Sequence, residues 1–303
     1  MNIVKEAKTL GFVAVGFSRS QKPLFFDAFC AWVDAEKYGQ MAWLKRHRDL
    51  REDPGKLLPG CQTIISLAYP YSPAKPCTPE GFTMARYSEP QKKDYHNRVR
   101  EKARRLALQI MASTPNSKMR VCVDSAPILE RSFAYRSGMG FLGKNNMLIV
   151  PGHGSYVFLA EILTTATLPL GDSEPMKDLC GNCTRCLDAC PTGALEGPRH
   201  LDASICLSYL TIEHEGDFDP ETGERMGRCF LGCDVCQEVC PHNQVEKPGA
   251  GALPAVAEFL EMDDGEFKTL FGQTALARPG LARIQRNIKA VRTRSNQGIL
   301  TER

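Results

Sequence analysis

The chain has 303 residues, 43% hydrophobic and 24% charged, which is enough for two domains of ordinary size and a buried core. No apolar run approaches the roughly 18 residues that a spanning helix requires, so a membrane-spanning protein is excluded. The net charge of +3, from 38 Lys and Arg against 35 Asp and Glu, makes no global case for nucleic acid, so any basic surface must be local.

The N-terminal MNIVKEAKTLGFVAVGF interrupts its apolar residues with Lys5, Glu6 and Lys8. It reads as an amphipathic helix entering a strand, without the apolar core of a signal peptide, and points to the cytoplasm. Helical spacing follows at Leu24, Phe25, Phe29 and Trp32, and again through Val99, Leu106, Leu108 and Ile110 in the charged stretch after His96. Short β-rich runs lie at Phe12 to Phe17, Thr63 to Ala68, Val121 to Val123, Met147 to Val150 and Tyr156 to Leu163. Residues 1–170 therefore form a mixed α/β (α+β) domain. The prolines at 70, 73, 76 and 79 mark a loop leaving a strand end, a common place for ligand-binding segments.

Residues 171–245 differ in character. Nine of the 13 cysteines fall between Cys180 and Cys240, among Gly, Pro, Asp and Asn. Without an export signal these thiols are poor disulfide candidates, and so short of apolar residues the segment needs bound metal to fold. Cys180-x2-Cys183-x2-Cys186-x3-Cys190-Pro191 is the bacterial ferredoxin run, in which three thiolates hold one cubane and the fourth crosses to another. A partial copy follows as Cys233-x2-Cys236-x3-Cys240-Pro241, with Phe230 where a complete copy would begin. Two 4Fe-4S clusters need eight thiolates. Cys180, Cys183, Cys186 and Cys240 suit one cluster, and Cys190, Cys233 and Cys236 need a fourth ligand from Cys206 or Cys229, which spacing leaves open. Zinc would use paired C-x2-C motifs, but two consecutive x2 spacings with a Cys-Pro step after each run fit cubanes and suit zinc poorly. The other cysteines, Cys30, Cys61, Cys77 and Cys122, read as core or loop thiols.

After a linker at Lys247 to Gly251, residues 246–303 form a helical tail. Its first part, 252–277, is acidic and amphipathic around Phe259, Phe267 and Phe271; from 278 it holds seven basic residues and one acid. Residues 86–105 form a second basic stretch, eight against three. Asp124 follows the Val121 to Val123 run, and Ser125-Ala126-Pro127 after it looks like a helix start. For Asp124 both capping and catalysis are open at this point.

Four segments then carry a resemblance: Val123-Asp124-Ser125-Ala126-Pro127-Ile128-Leu129-Glu130-Arg131, Gly138 to Asn146, Cys206-Leu-Ser-Tyr-Leu-Thr-Ile-Glu213, and Gly232 to Pro241. In that order, and over nearly the whole chain, they resemble the epoxyqueuosine reductases. The resemblance implies a cobalamin-dependent enzyme with two 4Fe-4S clusters that binds cob(II)alamin without a histidine ligand. It implies reduction of the epoxide of epoxyqueuosine, at the tRNA wobble position, to queuosine. It assigns Cys206 as the eighth cluster ligand and leaves Cys229 a bystander. Asp124 becomes the proton donor, a role in which a partly buried carboxyl could hold its proton near neutral pH. Corrinoid contacts are expected from Arg51, Arg86, Tyr87, Tyr95, His96, Asp124, Lys144 and Asn145. Contacts to the anticodon stem-loop are expected from Arg278, Arg283, Arg286 and Asn287.

Two departures stand out: a longer link from Arg86 to His96 than relatives usually have, and a tail ending at Arg303 where many relatives continue. They keep two competitors in view, a corrinoid reductase of a small organic epoxide or halide and a ferredoxin-type electron carrier. A monomer served by an external low-potential electron donor completes the expectation.

Overall fold

Strand Thr63–Pro70 is apolar at nearly every position and its first six residues are buried. Such a strand needs cover on both faces and partners on both edges. It pairs antiparallel with Ala14–Arg19 on one side and, over eight residue pairs, with Val157–Thr164 on the other. Met119–Cys122 closes the four-stranded antiparallel sheet at its far edge, next to Val157–Thr164. The computed structural model describes residues 1–170, 174–243 and 253–298, apart from the side chains of 292–298. The expected linker at 247–251 and Arg303 lie outside the described residues, as do the side chains of Arg292 and Arg294.

This sheet belongs to one of two compact units, residues 1–71 with 95–184; residues 72–94 and 185–303 make the other. Thus most of the expected α/β segment falls in the first unit, and the later cysteines and the tail share the second. In the first unit, helix Glu130–Arg136 packs on the sheet face that carries Ile64 and Leu163, through Phe133. The long helix Tyr95–Ser113 buries Val99, Ala103, Leu106, Ala107 and Ile110, the 3–4 spacing of a single stripe, against Val157–Thr164 and Met119–Cys122. Tyr95 stacks on Phe158, whose side chain alternates to the face opposite Leu163, so this helix covers the second face.

The expected helix start at Ser125-Ala126-Pro127 is not found. Residues 124–128 form bends, and the helix begins at Glu130 with Leu129 in the N-cap position. Pro127 disfavours helical backbone at the residue before it, which delays the helix beyond the expected start.

In the second unit the two cysteine runs fold alike. Short helices Arg185–Asp188 and Val235–Glu238 occupy matching positions and pack together. The bonds Ala189 N to Arg185 O at 3.0 Å and Gly193 N to Cys190 O at 3.2 Å recur 50 residues on, as Val239 N to Val235 O at 3.2 Å and Asn243 N to Cys240 O at 3.0 Å. Phe230 sits fully buried in an apolar cluster with Phe259, Phe267, Phe271, Ile284 and Ile288. The acidic half of the tail is therefore helical and folded onto this core, as helices Val256–Glu261 and Asp264–Phe271, the second opened by a capping box of Asp263 and Glu266. The last helix is Gly280–Gly298. Among the described residues no helix is long and apolar enough to cross a membrane.

Gly16 shows how closely the first unit is packed: a Cβ there would lie 2.1 Å from Ser137 Oγ, just past the end of helix Glu130–Arg136. Gly16→Ala should cost about 1–3 kcal/mol of stability through overpacking, read as a lower midpoint in urea unfolding followed by circular dichroism.

Candidate active site

Asp124 lies two residues beyond edge strand Met119–Cys122, with its backbone in the left-handed region at φ 54°. Asp tolerates this conformation better than most residues, but the position still needs holding. Two groups hold it. The backbone N–H of Asp124 donates to Glu130 Oε1 at 2.6 Å, and the side-chain Oδ2 accepts from Tyr95 Oη at 2.9 Å. His96 Nε2 lies 2.8 Å from the same Oδ2. Tyr95 is fixed in turn, its ring parallel to Phe158 at 4.1 Å and stacked on His96 at 4.1 Å. Tyr95, His96 and Asp124, expected as site residues from separate segments, are thus brought together.

Capping plays no part here, because the helix starts at Glu130 and Asp124 does not cap it. A second expectation is corrected too. The side chain of Asp124 is 54% exposed, so burial by the protein is not what would keep a proton on it. One fully buried carboxyl, Glu161, and one half-buried one, Glu130, lie behind it. Glu161, in strand Val157–Thr164, is fully buried and stands between Ser66 and Cys122 in the sheet register. Among the described residues no donor or acceptor meets either carboxyl oxygen of Glu161 in hydrogen-bonding geometry, although the Ser66 hydroxyl and the Glu130 carboxyl are adjacent. Burial pushes Glu161 well above the ordinary carboxyl range, and the nearby Glu130 charge adds to this. Burial likewise pushes Glu130 up to about 8, with the charge of Asp124 as the next cause. Sequence reasoning quoted Glu130 within a motif and gave it no role, and it passed over Glu161. The available signal was a lone carboxylate in an otherwise apolar strand.

The other expected contacts are distributed as follows. Arg51 is 8% exposed and donates to the carbonyls of Arg46 and His47, closing its own loop. Lys144 Nζ donates to Gly181 O at 2.7 Å and so reaches the loop between Cys180 and Cys183. Asn145 is buried, with Oδ1 accepting from Met147 N. In the second unit, Arg86 is 2% exposed; it donates to Pro73 O and is paired with Asp234 and Glu238. As placed, its guanidinium ties loop 72–94 to the second cysteine run. Tyr87 packs beside Gly232 on the core of the same unit.

The expected tRNA contacts are also tied within the second unit. Arg278 pairs with Glu213, Arg283 donates to Ile212 O, and Arg286 donates to the carbonyls of Leu210, His214 and Gly216. Asn287 is fully buried: its amide donates to Thr211 O and Phe230 O and its oxygen accepts from Arg286. This amide has no face left for a nucleic acid, so Asn287 is a structural residue. Arg278, at 51% side-chain exposure, keeps a solvent face.

The thiols fit iron-sulfur ligation. Cys190, Cys206, Cys233 and Cys236 lie near enough for their charges to interact, and Cys186 joins them around Cys236. Burial pushes Cys233 up to about 12 and Cys236 well above its ordinary value, and the neighbouring thiols add to both. So crowded a set of thiolates is stable only with cationic iron among them. Cys229 is near as well: its charge acts on Cys233, and its Sγ lies 3.5 Å from the carbonyl oxygens of Leu231 and Gly232, beside Lys75 and Asp234. Among the described residues no three metal-binding side chains converge on one ion position, whereas each thiolate of a cubane binds a different iron.

Comparison with known proteins agrees with this layout. A domain family described as 4Fe-4S double cluster binding matches residues 179–243, and one described as epoxyqueuosine reductase QueG matches residues 51–125. An epoxyqueuosine reductase of Cyclobacterium marinum is 34% identical, aligned over 97% of this chain and 97% of that one. That decides the family. The chain belongs to the epoxyqueuosine reductases. The Escherichia coli relative is 34% identical over 92% of this chain and 76% of its own, so the family includes both shorter and longer chains. Among solved structures, the epoxyqueuosine reductase from Streptococcus thermophilus superposes with a TM-score of 0.85 at 30% identity, covering 95% of this chain and 79% of that one. A reductase bound to an epoxyqueuosine-modified tRNA-Tyr stem loop superposes at 0.81, with the same identity and coverage.

The buried carboxyls give a stability prediction. Groups whose pKa is raised by folding bind more protons in the native state, so stability falls as pH rises from the unfolded carboxyl range, near 4.3, through about 8. Glu161→Gln should remove part of that loss, making the protein more stable than the parent at pH 9 with little difference at pH 4. Urea unfolding at the two pH values checks the sign.

Proposed function

We propose that the protein reduces the epoxide of epoxyqueuosine, in the anticodon loop of tRNA, to the cyclopentene of queuosine. The observation that carries this reading is the Asp124 carboxylate, gripped by Tyr95 and His96 at a strand end, in a chain aligned along 97% of an epoxyqueuosine reductase. The family's cofactors are two 4Fe-4S clusters and cobalamin. Together they supply the electrons and the low-potential reducing power that opens the epoxide.

The chain's own residues provide the rest. Asp124 delivers a proton to the oxygen as its carbon bond breaks, and Tyr95 and His96 hold the carboxyl in line. Lys144 and Asn145 remain our candidates for the corrinoid surface, beside Tyr95 and His96. Arg51, Arg86 and Tyr87 shape the supporting loops. Exposed Arg278, with Arg283 beside it, is our candidate for phosphate contact. Cys180, Cys183, Cys186 and Cys240 hold one cluster, and Cys190, Cys206, Cys233 and Cys236 the other. A cytoplasmic monomer drawing on an external low-potential donor fits a soluble tRNA substrate. The tRNA-bound relative favours this reading over a small-molecule epoxide or halide substrate, and the Asp124 constellation favours it over an electron carrier.

Anaerobic incubation of the reconstituted protein with epoxyqueuosine-containing tRNA, cobalamin and a low-potential reductant should remove one oxygen, detected by nucleoside mass analysis. Asp124→Asn should keep iron and corrinoid while turnover drops about 100-fold or more, the usual weight of a positioned acid. Full activity in that variant would remove Asp124 from the mechanism. Iron analysis tests the ligands: Cys206→Ala should lose one cluster's worth and Cys229→Ala none.

A further inference from the structure

Reduction of an epoxide to an alkene breaks two C–O bonds and consumes two electrons and two protons, with the oxygen leaving as water. Asp124 holds one proton at most, and the second must come from elsewhere.

We propose that Glu130 and Glu161 form an internal proton store behind Asp124, which refills the Asp124 carboxyl within a turnover. The inference rests on the proposed role of Asp124 and adds a source for the second proton. Three features carry it. Glu161 is fully buried in the central part of the sheet with the Glu130 carboxyl and the Ser66 hydroxyl adjacent, a placement that disfavours its ionised form. Glu130 stands beside Glu161 and also touches the Asp124 segment, its Oε1 accepting the Asp124 N–H at 2.6 Å. Helix Glu130–Arg136 lies on the Glu161 face of the sheet, so its first turn spans the distance from the sheet interior to the exposed Asp124.

The charged and titratable groups around Glu130 are Asp124 on the strand-end loop, His96 on the long helix, Glu161 on the neighbouring strand and Arg131 on its own helix. Cys122, on the edge strand, is pushed up to about 12 by burial, then by Glu161, and stays a neutral thiol. Two adjacent carboxyls cannot both ionise at low cost, so the pair keeps at least one proton near neutral pH. After Asp124 has given up its proton, Glu130 transfers one to the Asp124 carboxylate and becomes the carboxylate itself, with Glu161 still neutral beside it. The final acceptor is the departing alkoxide or hydroxide, a far stronger base than any carboxylate, so the sequence runs downhill overall. Solvent then refills Glu130 between turnovers.

Glu130→Gln separates this role from a structural one, because the amide oxygen still accepts the Asp124 N–H but the side chain no longer releases a proton. In the fully loaded enzyme, turnover should fall as pH rises through about 8, where Glu130 loses its proton. In Glu130→Gln that limb should disappear and turnover at pH 7 should drop by about tenfold or more. Infrared titration of the same samples gives a readout independent of turnover: a protonated-carboxyl band that bleaches through about 8 in the parent and is missing from Glu130→Gln, while the band of neutral Glu161 stays in both. The parent titration alone tests the store should the variant fail to fold. A parental pH profile in Glu130→Gln, or no titrating carboxyl band in the parent, overturns the store. If Asp124→Asn is inactive while Glu130→Gln is normal, the store fails and the role of Asp124 stands; full activity in Asp124→Asn sinks both.

Discussion

The ladder between strands Thr63–Pro70 and Val157–Thr164 is the constraint on which the first unit depends. Its eight register pairs fix which side chains of Val157–Thr164 point to which face. Phe158 goes to one face, where Tyr95 stacks on it, and Glu161 to the other, where it lies across from Ser66 and beside Cys122. A slip of one residue would exchange these faces, taking the stacking platform from Tyr95 and turning the carboxyl toward the wrong helix. The placement of Asp124 then follows, because it is approached by Tyr95 and His96 from the long helix and by Glu130 from the short one.

The second unit is held by a different balance. Its cysteine runs contribute little apolar surface, and its core comes from elsewhere: Phe82 and Met84 in the loop before the long helix, and Phe259, Phe267, Ile284 and Ile288 in the tail. Arg86, nearly inaccessible and paired with Asp234 and Glu238, fastens that loop to the second run. A buried ion pair adds little net stability, but removing one partner would strand charge in the interior, so it enforces one arrangement of the loop. The basic residues of the last helix act similarly. Arg283 and Arg286 satisfy carbonyls at and beyond the end of helix Leu207–Ile212, the helix that follows Cys206. Their charge is directed mainly inward, to the frame around Cys206.

The site divides its acid groups by environment. Asp124 is exposed and well held, whereas Glu161 is enclosed and Glu130 half-buried, and both are raised because their ionised forms are poorly solvated. Exposure gives reach, and burial gives retention. One carboxyl could not easily have both, and the strand-to-helix connection from Cys122 to Glu130 brings the Asp124 N–H within 2.6 Å of Glu130 Oε1.

Much of this was legible in the sequence. Local spacing showed the strands, the amphipathic stripe of the long helix and the cysteine runs, because those signals depend on residues a few positions apart. The 50-residue recurrence of the two runs was visible for the same reason, down to Phe230 in place of a cysteine. Less visible were features that depend on side chains distant in sequence. Asn287 and Arg286 look like nucleic-acid contacts in a basic tail, yet tertiary packing turns the first wholly inward and much of the second. For Asp124 local sequence left capping and catalysis both open, and the start of the helix at Glu130 removes capping. Glu161 looked like one charge in an apolar strand, and only register and burial show what pushes its pKa well above the ordinary carboxyl range. The sequence by itself determined the family and the cluster chemistry, and it singled out Asp124. Tertiary structure alone decided which charges face solvent and which are buried, since solvation belongs to a residue's surroundings and not to its place in the chain.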